Sequence, residues 1–327
     1  MAAPKVTKTR ILMISDTHST DYNPEEAKRP FRKPLPKADV LLHCGDLTMI
    51  GHLEEYKKAI EMMRNIDAEL KLVIAGNHDI SLDSDYFERE GMRMHRQKWD
   101  RSCSKKALEM WKGDHANSAG ITYLEEGTYE FKLSNGAKFS IYASPYQPEF
   151  CNWAFPYERH EDRYNPSNSS NSVAWEARAV ARNPIPDFPN VDIVVTHGPP
   201  FGRLDATISG EHVGCSHLLS AMRRAKPRLH CFGHIHEGWG AERVDWSKRS
   251  SAQSLVSGST DVKVANRFPV DEDKMIADRC AYVDVSSDGA EPLRRGEETL
   301  MVNASIMDAD YRPVNGPWLV DLDLPAV

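Results

Sequence analysis

Apolar residues collect along the first third of the chain into runs of strand length, and a polar cluster closes each run. Residues 10–14 end in Ser15-Asp16-Thr17-His18, residues 39–43 in Cys44-Gly45-Asp46, and residues 70–75 in Gly76-Asn77-His78-Asp79. The pattern returns at 191–195, closed by Thr196-His197-Gly198-Pro199-Pro200, and at 228–232, closed by Gly233-His234-Ile235-His236. Short apolar runs bounded by turn-forming residues predict buried strands. Between the second and third runs, Leu53, Tyr56, Ile60 and Met63 fall at the helical period, and 105–111, 173–181 and 216–225 are further predicted helices. Two runs, 129–133 and 137–142, flank Ser134-Asn135-Gly136, and Asn-Gly between alternating runs is the strongest short-range hairpin signal. Three late runs, 281–285, 299–303 and 318–322, are read as strands that complete a second sheet. Strands alternating with helices predict an α/β fold with a largely parallel core. Neither an internal repeat nor a linker divides the chain, so residues 1–327 are expected to form a single domain, with a divergent or inserted polar region at about 242–280.

Composition narrows the class. Of 327 residues, 40% are hydrophobic and 27% charged, ordinary values for a globular protein with a sizeable core. No run approaches the ~18 apolar residues of a membrane span, and the basic first ten residues lead only into a short apolar run, too brief for a signal peptide. Six cysteines without a Cys-x-x-Cys pair read as scattered reduced thiols, so the expected location is cytoplasmic. A net charge of −7 argues against broad nucleic-acid binding, which requires a basic footprint. Thirteen histidines stand out, because histidine is the commonest metal ligand.

In an open α/β sheet the loops at the carboxyl ends of the strands meet in one crevice. The five clusters can therefore converge although they span more than 200 residues, bringing together Asp16, His18, Asp46, Asn77, His78, His197, His234 and His236. Two carboxylates, an amide oxygen and several imidazoles, without thiolate, suit Mn, Fe or Zn. Seven ligands exceed one tetrahedral site and suit two ions if a carboxylate bridges them. Singly, each motif has a plainer reading: Gly45-Asp46 as a turn, Gly76-Asn77-His78 as an Asx-turn before a helix, His197 as a strand-end histidine. Their order and placement together are what chance does not supply.

That order, D-x-H, GD, GNHD, H and GHxH, resembles the calcineurin-like metallophosphoesterase superfamily. The stretches GDLTMIGHLEEYKKAI, LKLVIAGNHDISLD, YASPYQPEF, THGPPFGRLD, VGCSHLL, PRLHCFGHIHEGWG and VNAS are similar to the metallophosphoesterase-domain-containing group within it, itself similar to class III cyclic-nucleotide phosphodiesterases. The resemblance implies a four-layer α/β/β/α sandwich with two mixed sheets. It implies that Asp16, His18 and His236 hold a first divalent or mixed-valence ion, that Asn77, His197 and His234 hold a second, and that Asp46 bridges them. His78 would face the substrate as general acid. Some animal members of the group carry glycine at the position of His234, with weakened catalysis; His234 is present here, which implies a competent two-metal site.

The expected activity is hydrolysis of small phosphodiesters, cyclic nucleotides being the family-level case, by attack of a metal-bridging hydroxide. A phosphomonoesterase, or a metal- and nucleotide-binding scaffold with little turnover, are the alternatives. The Gly45–Gly51 segment lacks the GDxVDRG pattern of protein phosphatases. The expected partner is a small-molecule phosphate ester, with neither a membrane nor nucleic acid. Among the other residues, Cys44 and Cys231 are read as packing beside the site, His43 and His230 as facing away from it, His212 or His217 as reaching a substrate phosphate, and Trp153 and Trp239 as either base-stacking or core. No residue stands out as the carboxylate that orients His78, Asp79 being its neighbour in sequence.

Overall fold

The computed structural model describes residues 5–20, 28–167, 178–247 and 264–326. The short apolar runs form the strands of two mixed sheets. The first has six strands in the order Ala281–Asp284, Trp318–Pro325, Val6–Ile14, Ala38–His43, Ala68–Val73 and Ile121–Tyr123. All its neighbours are parallel except Trp318–Pro325 against Val6–Ile14. The second has seven, in the order Val264–Arg267, Gly240–Asp245, Glu298–Asn303, Leu229–Phe232, Ile193–Thr196, Lys138–Ser144 and Gly127–Lys132. Its centre is parallel from Glu298–Asn303 to Lys138–Ser144, and its margins are antiparallel. The hairpin predicted around Asn135-Gly136 is the last of these margins.

Alternation along the strands sorts side chains into layers. Ile11, Met13, Val40 and Leu42 of the first sheet meet Ile141, Ile193, Leu229 and Val302 of the second in one buried cluster. Their neighbours Leu12, Ile14, Leu41 and Val73 face the other way, onto Tyr56, Ile60 and Met63 of the helix Leu53–Arg64 and Ala107 and Trp111 of Cys103–Lys112. Across the second sheet, Val194, Phe232 and Met301 pack on Leu218, Ala221 and Met222 of the helix Ser216–Ala225. Three apolar interfaces between four layers give the expected α/β/β/α order.

One expectation is corrected, and two others fall partly outside the described residues. Only Glu298–Asn303 of the late strands joins the second sheet; Ala281–Asp284 and Trp318–Pro325 belong to the first. The reason is edge pairing: Val6–Ile14 ends in four fully buried residues, and Trp318–Pro325 pairs with it from Val6↔Pro325 to Met13↔Trp318. The helix expected at 173–181 falls largely outside the described residues, and Arg178–Ala179 is a short strand against Glu161–Asp162. The region 242–280 contributes its first residues to Gly240–Asp245, wholly buried in the second sheet, then the Val264–Arg267 edge strand and the helix Glu272–Asp278, with 248–263 outside the described residues. A helix not read from sequence, Ser84–His95, is started by the Asp83 carboxylate, which accepts from the Tyr86 and Phe155 amides. Among the described residues no helix is long and apolar enough to cross a membrane.

Candidate metal centre

The parallel strands of both sheets end at one edge of the sandwich. A backbone bridge joins Ser15, beyond the first sheet's Val6–Ile14, to Ser305, beyond the second sheet's Glu298–Asn303. All eight predicted site residues lie on the loops that leave this edge. They form three trios whose ligand atoms lie within 4.8 Å of one another: Asp16, His18 and His236; Asp46, His197 and His234; and His18, Asp46 and His78. Asn77 completes the set, its Oδ1 lying 2.8 Å from His197 Nε2.

The backbone is bent hard to achieve this. Asp16, His18, Asp46 and His234 all adopt left-handed φ, between 42° and 69°. Such conformations cost of order 1–3 kcal/mol each and persist where the surroundings enforce them. The glycines of the motifs have a second purpose besides turning. A Cβ on Gly76 would stand 2.3 Å from Asp46 Oδ1 and 2.6 Å from His197 Cε1; one on Gly233 would stand 2.1 Å from Asp16 Oδ2. Each glycine makes room for a ligand of another motif.

Backbone carbonyls set the imidazoles. Nδ1–H of His18 donates to the Thr48 carbonyl at 3.0 Å, that of His197 to Cys44 at 2.9 Å, and that of His236 to Asp308 at 2.9 Å. A carbonyl only accepts, so Nδ1 carries a proton and Nε2 is turned inward as the atom that could ligate a metal. His18 Nε2 lies 3.4 Å from His236 Nε2 and 3.6 Å from Asp46 Oδ2; His236 Nε2 lies 3.6 Å from Asp16 Oδ1. Asp16 also accepts from the Ser305 hydroxyl at 2.6 Å and the His234 amide at 3.1 Å.

Charge follows this geometry. Burial lowers His18 to about 4 and His234 to about 3, so both are neutral and ready to ligate. Burial also pulls on His197 and His236, but the Asp46 and Asp16 carboxylates respectively outweigh it and push each up to about 9. The imidazolium partners in turn hold Asp16 and Asp46 well below the usual carboxylate range despite complete burial. At His197 Nε2 one proton faces both Asn77 Oδ1 and Asp46 Oδ1, the latter at 3.4 Å. Acceptors gathered around a proton are the arrangement that a divalent cation would replace, and the nitrogen and oxygen donors fit a first-row ion.

His78 differs from the other histidines. Its Nδ1–H donates to the Met49 carbonyl at 2.7 Å, and its ring stacks on Trp153 with centroids 4.0 Å apart. Its orienting partner is thus a carbonyl and not Asp79. That carboxylate turns away and accepts from the Leu47, Thr48 and Gly76 amides and the Thr48 hydroxyl, tying two metal loops together.

The remaining candidates divide. His43 and His230 are buried, lowered to about 3, and each binds the hydroxyl of a threonine beside a site residue: Thr17 at 3.0 Å and Thr196 at 2.9 Å. Cys44 and Cys231 face each other between the sheets with sulfurs 3.0 Å apart. His212 pairs with buried Asp205 at 2.6 Å, and His217 is buried near Asp162; neither joins the ligand trios. Trp239 packs on Trp318. Sequence reasoning assigned no role to Ser305, Thr48 or Asp308; Thr48 and Ser305 lie within the GDLTMIGHLEEYKKAI and VNAS stretches, and Asp308 lies in none of them. Ser305→Ala is expected to weaken metal binding by roughly 10–100-fold, the usual effect of losing a partner that orients a ligand. Calorimetric titration of the variant with manganese measures it.

Comparison with known proteins agrees with this geometry. The family model for calcineurin-like phosphoesterases matches residues 9–238, ending before the region at about 242–280. Metallophosphoesterase domain-containing protein 1 of Homo sapiens is 31% identical over 320 residues, covering 97% of this chain and 72% of that protein; the Mus musculus protein matches equally. The probable rhamnogalacturonate lyase C of Emericella nidulans is 33% identical over 239 residues, 72% of this chain but 18% of its own length. The chain belongs to the calcineurin-like phosphoesterase family, whose metal-binding hydrolase chemistry its converging histidines and aspartates are built to support.

Proposed function

We propose that the protein is a dinuclear-metal phosphodiesterase acting on small phosphate esters, cyclic nucleotides among them. The observation that carries this reading is the convergence of Asp16, His18 and His236, of Asp46, His197 and His234, and of Asn77 beside His197; on it, Asp16, His18 and His236 would hold one ion, Asn77, His197 and His234 a second, and Asp46 would bridge them. Manganese, iron and zinc all fit such donors. Bound ions would neutralise charge on the phosphoryl oxygens and supply an acidified water. The protein's own groups hold those ligands in a water-poor crevice, and His78 Nε2 passes a proton to the departing oxygen. That proton transfer matters most for alkyl esters, whose alkoxide leaving groups are poor. The reading takes the chain as one domain working on a diffusible substrate in the cytoplasm, where its six free thiols would stay reduced.

The test is elemental analysis of one preparation alongside hydrolysis of bis(p-nitrophenyl) phosphate, with and without added manganese. About two metals per chain with turnover is the expected result. Two metals without turnover of diester or monoester would replace the enzyme by a metal- and nucleotide-binding scaffold.

Proton competition gives a second check. His197 and His236 are raised to about 9, so both carry the extra proton at neutral pH and must lose it to ligate. Metal affinity is therefore expected to rise as pH rises toward 9 and to level off above it, by up to roughly 100-fold per pH unit for two protons. Calorimetry of protein stripped of metal, in buffers of different ionisation enthalpy, should count about two protons released near neutrality.

A further inference from the structure

A tyrosine that no motif pointed to covers the centre. Tyr311 lies on the connection between Glu298–Asn303 and Trp318–Pro325, with its ring centroid 4.8 Å from His18, 5.2 Å from His236 and 6.0 Å from His78. Its hydroxyl is 3.5 Å from His78 Nε2. The side chain is 43% exposed, so one side of the phenol faces solvent at the mouth of the crevice.

The turn that carries it is tightly made. The Asp308 carboxylate accepts from the Asp310 and Arg312 amides, both at 2.9 Å, and from the Arg312 guanidinium at 2.7 Å. The Tyr311 amide donates to the Asp308 carbonyl at 3.0 Å, and Tyr311 takes a left-handed φ of 59°, uncommon for a bulky residue. The same Asp308 carbonyl orients His236. One turn thus fixes a metal-side histidine and hangs a phenol over the substrate side.

At 3.5 Å the hydroxyl and the imidazole barely satisfy each other. An acceptor atom placed against both would lie within ordinary hydrogen-bond distance of each. We propose that Tyr311 is a further catalytic residue, its hydroxyl and His78 Nε2 forming a pair of donors that close on the leaving oxygen of the ester. This rests on the acid role of His78. As the bond from phosphorus to the leaving oxygen breaks and the bond from phosphorus to the oxygen of water forms, the proton on His78 Nε2 moves to the leaving oxygen, and the proton that the attacking water gives up passes to solvent, from which His78 is reprotonated after the products leave. The phenol donates a hydrogen bond to that oxygen and keeps its own proton. Trp153 behind the imidazole and the Met49 carbonyl at Nδ1 prevent His78 from turning away.

The test compares the full-length chain with Tyr311→Phe, His78→Ala and the double variant, each loaded with manganese and checked for metal content. Tyr311→Phe keeps the ring over His18 and His236 and removes only the hydroxyl. It should retain both metals and lower kcat on 3′,5′-cyclic AMP by roughly 10–100-fold, toward the loss seen when one preorganised donor is removed elsewhere. KM should stay within about twofold, and bis(p-nitrophenyl) phosphate, with its stable leaving group, should be affected less than about threefold. In the His78→Ala background the same change should cost little more, because the two groups act on one atom. Affinity for inorganic phosphate, measured by calorimetry, should fall about fivefold. Wild-type kcat and phosphate affinity in Tyr311→Phe, equal loss on both substrates, or full additivity with His78→Ala would each overturn the proposal. A wild-type protein that binds metal and hydrolyses nothing would instead refute the enzyme reading, and the phosphate affinities would then still decide whether the hydroxyl contacts bound oxyanion.

Discussion

Asp46→Asn is expected to leave the protein folded while binding fewer than two metals per chain and hydrolysing no measurable ester. Asparagine has the same shape, tolerates the left-handed φ of 54° at this position, and its amide oxygen can still accept the His78 amide, as Asp46 Oδ1 does at 2.8 Å. What the substitution removes is one negative charge and one acceptor oxygen, from a side chain 3.4 Å from His197 and 3.6 Å from His18. No other residue lies in two of the trios on opposite sides of the centre, one containing His18 and the other His197 and His234. Losing a partner that merely orients a ligand weakens metal binding by ~10–100-fold; losing the shared ligand itself should exceed that. Elemental analysis after gel filtration, with thermal unfolding as the control for folding, measures both halves. Two ions retained per chain would remove Asp46 from the bridging position.

The convergence of the candidate metal residues was legible from sequence because their signal is local chemistry at a repeated place. Each polar cluster follows an apolar strand run, and parallel strands deliver such clusters to one edge. The glycines were read only as turn formers. Their role in admitting Asp46, His197 and Asp16 depends on loops 30 or more residues away and leaves no mark on the motif itself. The same holds for Met49, Thr48, Cys44 and Asp308, which act through peptide carbonyls that every residue possesses.

Sheet membership was less legible than strand existence. The late runs 281–285 and 318–322 are strands or parts of strands, yet their place in the first sheet is decided by the pairing of Trp318–Pro325 with Val6–Ile14 across some 300 residues, Ala281–Asp284 then adding to Trp318–Pro325. The helix Ser84–His95 was hidden by its charge, since Arg89, Glu90 and Arg93 lie outward while Tyr86, Phe87 and His95 are buried. Tyr311 stands in a polar turn with no apolar run around it, and only the folded Asp308 turn brings it beside the imidazoles.

His78→Ala should separate binding from chemistry in the way that Asp46→Asn does not. His78 belongs to a ligand-sized trio with His18 and Asp46, so geometry alone would admit it as a metal ligand. Its surroundings point elsewhere: Nδ1 is committed to the Met49 carbonyl, the ring is stacked on Trp153, and Nε2 lies 3.5 Å from the Tyr311 hydroxyl. The variant is therefore expected to keep two metals per chain. Turnover on cyclic nucleotides or other alkyl diesters should fall by roughly 10²–10⁴-fold, the usual worth of a positioned acid. On bis(p-nitrophenyl) phosphate the loss should be much smaller, because p-nitrophenolate leaves without being protonated. A plot of log kcat against leaving-group pKa should accordingly be steeper for the variant than for the wild type. Parallel plots would remove the acid role, and a lost metal ion would make His78 a ligand; with steeper dependence and full metal content, proton delivery is the step that this imidazole performs.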